Sequence, residues 1–154
     1  MTNQKIKKYK HSLSPDSKTV LVGGCFDILH YGHIRFLKEA KNKGSYLVIA
    51  LESDENTKKL KGPNRPIHSQ KQRREILLSL NFVDKVISLP EMKSDTDYRK
   101  LVARIKPDII AITQGDNIKN KKKEYARTFG AKLVEIKKIK VPSTTQIAKL
   151  IGLE

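Results

Sequence analysis

The chain has 154 residues, 38% of them hydrophobic and 31% charged, which is enough for one α/β domain with its own core and too few for two comfortable ones. Its 32 Lys and Arg against 16 Asp and Glu give a formal charge of +16, a balance that favours phosphate-bearing partners without separating a nucleotide from a nucleic acid or an anionic membrane surface. One cysteine, Cys25, excludes an intrachain disulfide and a cysteine-rich zinc site. With no secretory leader pattern and no apolar run long enough for a bilayer, the expected location is cytoplasmic.

Residues 1–18 are polar and basic and read as a tail, leaving residues 19–154 as the folded domain. Thr19-Val-Leu-Val-Gly is short and apolar, a buried strand, and Gly23-Gly24 allows a tight exit from it. From His33 onward a helical rhythm carries Ile34, Leu37 and Ala40 and closes at Gly44. Tyr46 to Leu51 has the length and β-branched content of a central parallel strand. The following Thr57-Lys-Lys-Leu-Lys-Gly-Pro-Asn-Arg-Pro is basic and interrupted, so it reads as an exposed connection over the ligand side.

Gln70 to Leu80 resumes a helical period in which Ile76, Leu77 and Leu80 face a sheet. Val83 to Leu89 reads as a strand, Asp97 to Ile105 as a helix stopped by Pro107, and Ile109-Ile-Ala-Ile as a core strand entering Gln114-Gly115-Asp116. Lys119 to Phe129 is a helix with Gly130 as its cap, Lys132 to Ile136 a last strand, and Gln146 to Leu150 a terminal helix behind Pro142-Ser143-Thr144-Thr145. Strands alternating with helices predict an α/β fold, an open parallel sheet with flanking helices. Ligands of such sheets bind beyond the carboxyl ends of the strands.

Chemistry concentrates in Gly23-Gly-Cys-Phe-Asp-Ile-Leu-His-Tyr-Gly-His33. Gly32 permits close backbone approach, and His30 and His33 flank it so that two imidazoles can reach one anion together with the free N–H groups of a helix start. The bland alternative packs His30 under the loop and makes His33 a helix cap. Two histidines without a third ligand do not make a metal site. Phe26 closes the core, Asp27 orients His33, backbone or a hydrated magnesium ion, and the Cys25 thiol packs. Lys58, Lys61 and Arg73 can neutralise phosphates or be plain surface charge. Ser143 and Thr144 can donate to phosphate, although a simple helix cap accounts for one of those hydroxyls.

The segments GCFDILHYGH, TKKLKGPNRP, QRREILLSLNFVDKVI and VPSTTQIAKLI, in this order, resemble the HxGH nucleotidyltransferase superfamily over nearly the whole domain. Within it the chain is most similar to the heptose-phosphate adenylyltransferase domain of lipopolysaccharide-core synthesis and to archaeal FAD synthase. It also resembles glycerol-3-phosphate cytidylyltransferase. The resemblance implies a Rossmann-like fold and transfer of AMP from ATP, with Mg2+, to a phosphorylated small acceptor, a sugar phosphate above all, with release of pyrophosphate. It puts His30, His33, Lys58, Lys61 and Arg73 on the reacting phosphates. Gly24, Cys25, Phe26, Asp27, Gly32, Gly115, Asp116, Ser143 and Thr144 would lie against nucleotide or acceptor. Gln114 departs from the family's GGD element, and the family's cysteine-bearing C-terminal segment of FAD synthases is replaced by VPSTT. FMN or glycerol phosphate as acceptor, with CTP for the latter, and a non-enzymatic nucleic-acid-binding module are the other readings. A homodimer is consistent with the related enzymes, and no membrane insertion is expected.

Overall fold

Five parallel strands form one sheet in the order β3-β2-β1-β4-β5: β1 is Thr19–Gly24, β2 Tyr46–Leu51, β3 Lys85–Ser88, β4 Ile109–Thr113 and β5 Lys132–Ile136. The computed structural model describes residues 16–152, so most of the expected basic tail lies outside the described residues. The helices are α1 (Tyr31–Lys41), α2 (Asp54–Lys61), α3 (Gln70–Leu78), α4 (Asp95–Ile105), α5 (Lys119–Phe129) and α6 (Thr144–Leu150). This is the expected Rossmann-like architecture.

Strand alternation sorts the core into two layers. Val20, Val22, Leu47, Ile49 and Ala111 pack with Leu37 and Ala40 of α1 and Leu77 of α3. Leu21, Val48, Ala50, Ile110 and Ile112 pack with Val102 and Ile105 of α4 and Tyr125 and Ala126 of α5. Parallel strands buried on both faces read as continuous apolar runs because neither side meets water. That is why β1, β2 and β4 stand out in the sequence. The chain order moves outward from β1 through β2 to β3, then returns to β4 on the other side of β1. A strand order that reverses there leaves a crevice at the carboxyl ends of β1 and β4.

Three local expectations need correction. Thr57 to Lys61 is the end of helix α2, not a loop: Ser53 caps it by accepting from Asn56 N at 3.1 Å, and Asn56 and Thr57 are buried. The lysines and the Gly62-Pro63 pair disguise a helix whose other face is interior. Ile76 is exposed, and Leu77 alone of α3's apolar residues is fully buried. The first helix begins two residues before His33, and His30 is its cap. Among the described residues no helix is long and apolar enough to cross a membrane.

Candidate active site

The connection between β1 and α1 carries the histidine pair and holds an unusual backbone. Phe26 and Ile28 adopt positive φ, 46° and 53°, a region that a β-branched residue such as Ile rarely enters. The Asp27 carboxylate fixes the turn from within. It accepts from Arg65 Nε at 2.6 Å, from Ile67 N at 3.0 Å and from His68 N at 3.1 Å. Both side chains of the Asp27–Arg65 ion pair are buried. Burial alone would push the Asp27 carboxyl up, but these backbone N–H groups and the guanidinium hold it below its ordinary value. Asp27 therefore ties the histidine loop to the segment between α2 and α3.

Arg73 lies at 1% exposure and points inward. Its Nη1 donates to Cys25 O at 2.5 Å, Nη2 to Glu52 O at 3.0 Å and Asp54 Oδ1 at 2.8 Å, and Nε to His68 O at 3.0 Å. The fork thus joins the ends of β1 and β2 to the start of α3. No part of it reaches the cleft wall, which differs from the expected phosphate contact. The Cys25 thiol is buried, and burial pushes it above its ordinary value despite nearby Lys61 and Arg73, so it suits packing better than nucleophilic chemistry.

His30 and His33 stack with ring centroids 3.9 Å apart, and Phe26 meets His33 edge-on at 5.3 Å. His30 Nδ1 accepts from Gly32 N at 3.0 Å, which places the proton of the neutral ring on Nε2. A methyl group on Gly32 would fall 2.8 Å from His30 Cε1 and 2.9 Å from Val141 Cγ2, so only glycine admits this stack beneath the segment that leads to α6. Burial, then repulsion from His30 and Lys61, depresses His33 to about 3; burial and Lys61 lower His30 as well. Both rings are neutral N–H donors at neutral pH, and Lys61 supplies the local positive charge. His33 Nδ1 is buried with no protein partner among the described residues.

These groups wall an open cleft of about 1410 Å³ at the carboxyl edge of the sheet. Gly24, Cys25, Phe26 and Asp27 line it from β1, and His30, Gly32 and His33 from α1. Lys61 lines it from α2, Asp116 from the turn after β4, and Ser143 and Thr144 from the start of α6. Lys58, Arg73 and Gly115 do not line the cleft; Lys58 sits exposed on α2. Gly115 takes φ 81° and turns the chain so that Asp116 can accept from Lys122 Nζ at 2.7 Å and Ile118 N at 2.9 Å. Ser143 closes a capping box with Gln146, and its hydroxyl proton remains available to donate.

Sequence reasoning overlooked Arg65, buried at 2% exposure, and the group of Glu52, Asn56 and Tyr98. Arg65 stood in a segment read as surface. Glu52, a charged residue directly after an apolar strand, was the available signal for the second.

A five-stranded parallel sheet whose switch-point crevice gathers a stacked histidine pair, a lysine and helix-start hydroxyls is a nucleotide-handling α/β domain. Residues 21–149 match the family model described as cytidylyltransferase-like. The chain belongs to that family of nucleotidyltransferases. It is 43% identical over 106 residues to bifunctional protein HldE of Campylobacter jejuni subsp. doylei, covering 69% of this chain and 22% of that protein. Against the HldE of Pseudomonas fluorescens it is 36% identical over 134 residues, covering 86% and 27%. The chain thus spans about a quarter of these relatives' length. Among solved structures, a lipopolysaccharide core biosynthesis protein from Thermoplasma volcanium superposes with TM-score 0.63 at 27% identity, covering 81% of this chain and 98% of that one. A pantoate-beta-alanine ligase from Francisella tularensis shares the fold, with TM-score 0.65 at 18% identity, covering 92% and 67%.

Proposed function

We propose that this chain is an adenylyltransferase that moves AMP from ATP to the phosphate of a sugar phosphate and releases pyrophosphate. The observation that carries it is the convergence of His30, His33, Lys61 and Ser143 on one cleft at the switch point. The similarity to HldE proteins and to a lipopolysaccharide core biosynthesis protein supports the choice of acceptor.

An acceptor phosphate is already ionised, so it attacks the α-phosphorus of ATP without a strong base. A new P–O bond forms as the bond to the β-phosphate oxygen breaks, and the electron pair leaves with pyrophosphate. The protein's task is alignment and charge stabilisation. The Nε2–H of His30 donates to a phosphate oxygen from a ring already fixed by Gly32, so little reorganisation is needed as charge develops. His33 supports that ring by stacking and offers its own N–H. Lys61 faces the charge gathering on the β- and γ-phosphates, and Ser143 donates a hydroxyl from the opposite wall.

Magnesium would neutralise the triphosphate. Among the described residues no three His, Cys, Asp or Glu side chains cluster as a cage, and the Asp27 carboxylate is engaged by Arg65 and two N–H groups. The donor set fits a metal that arrives on the nucleotide as part of the substrate. Crossing ATP and CTP with heptose phosphate, FMN and glycerol phosphate tests the reading. Pyrophosphate and a nucleotide-linked sugar should appear with ATP and heptose phosphate. No pyrophosphate from any pair would refute it.

A further inference from the structure

Glu52 leaves the end of β2 beside the histidine loop, where its N–H donates to Gly24 O at 3.1 Å and its carbonyl accepts from Arg73 Nη2 at 3.0 Å. The backbone is therefore pinned from both sides. Its side chain reaches the cleft wall yet is held almost out of solvent, at 8% exposure for the residue. The carboxylate takes its hydrogen bonds from a phenol and an amide. Tyr98 OH lies 3.0 Å from Oε1 and 3.1 Å from Oε2, and Asn56 Nδ2 lies 3.1 Å from Oε2. Tyr98 comes from α4 and also lines the cleft, so the group ties α2 to α4 beside it.

A carboxylate offers about four lone-pair sites, and two donor groups leave roughly half of them open. A purely structural tie between two helices needs no charge, and burying one without a cation is costly. Nor can Glu52 serve the phosphates, which it repels. Within a cleft that attracts phosphate through Lys61, a fixed acceptor-only group selects O–H donors. Tyr98 is held as a phenol: burial, and then the charge of Glu52, raise it well above its ordinary value.

We infer that Glu52, propped by Tyr98 and Asn56, selects the acceptor by receiving hydroxyl groups of a polyhydroxylated phosphate ester whose phosphate end faces the histidines. The inference rests on the transferase reading for its orientation of the acceptor, but it concerns binding and is tested by binding.

Calorimetric titration of wild type, Glu52→Gln and Tyr98→Phe with heptose phosphate and with methyl phosphate, which has no alcohol hydroxyl, separates the outcomes. Glu52→Gln keeps the shape and an acceptor oxygen. It should weaken heptose phosphate roughly 10- to 100-fold, the range for hydrogen bonds to a charged group, and leave methyl phosphate within about twofold. Tyr98→Phe should give a smaller loss of the same selective kind. Unchanged heptose phosphate affinity in Glu52→Gln would overturn the inference, as would equal losses for both probes, or a wild type that binds heptose phosphate no better than methyl phosphate. Pyrophosphate release, followed in parallel, distinguishes the two claims: selective binding without turnover refutes the transferase reading and leaves this one standing.

Discussion

The two walls of the cleft are held by different means. On the wall built from β1, β2 and the starts of α1 to α3, buried charges are engaged: Asp27 with Arg65, and Arg73 with Cys25, Glu52, Asp54 and His68. On the wall built from β4, β5 and α4 to α6, the ion pairs Lys119–Glu135, Lys121–Asp95 and Arg99–Glu124 lie on exposed side chains, and Lys122–Asp116 is only part-buried. Exposed pairs contribute little to stability, whereas breaking a buried pair strands a charge. The first wall is thus a fixed platform for the histidines, and the second can adjust to what it meets.

Removing the platform's anchor should have the largest effect. Arg65→Ala leaves the Asp27 carboxylate buried without its cation and should cost about 3–5 kcal/mol, read by urea unfolding. The fixed wall would lose its meaning if that variant unfolded at the wild-type midpoint. His33→Ala should fold normally but lower kcat/KM by roughly 10²–10³, the cost of one preorganised donor, and steady-state kinetics beside a melting curve would check this. Full catalytic efficiency would remove His33 from the site.

The histidine pair also predicts an acid dependence of intermediate size. His33 titrates at about 3 in the folded chain against an ordinary 6.5, so between those values the unfolded chain binds a proton that the native chain excludes. Its neutral state is without penalty above about 6.5, and stability falls as pH drops from there toward 3. Asp27, whose ordinary value is 3.8, adds its own loss only below that. Comparing wild type with His33→Gln at pH 7 and pH 5 should show a smaller acid loss in the variant; equal losses would contradict the burial of His33. Smallest of all, Lys119→Ala on the adjustable wall should change stability by less than about 1 kcal/mol. A loss comparable with Arg65→Ala would erase the contrast between the walls.

Much of the first wall's outline was legible in the sequence, and its wiring was not. β1, β2 and β4 announced themselves because both their faces are buried, and the Gly32-centred histidine pair is local enough for spacing to reveal. Asp27 finds Arg65 38 residues away and Arg73 finds Cys25 48 residues away. Such partners are chosen by tertiary packing, which no local pattern encodes. Helix α2 was hidden for the opposite reason: its exposed lysines resemble a loop, while the buried Asn56 and Thr57 that make it a helix are polar. The depressed pKa of His33 likewise depends first on burial in the fold, then on the charge of His30 and of Lys61, a residue from another element.

The most direct test of the central claim is a crystal structure with a nonhydrolysable ATP analogue. The triphosphate should lie within about 3 Å, hydrogen-bond reach, of His30, Lys61 and Ser143, with His33 stacked behind. A triphosphate bound along the Lys119 to Lys123 face, with the histidine cleft left to solvent, would contradict the account.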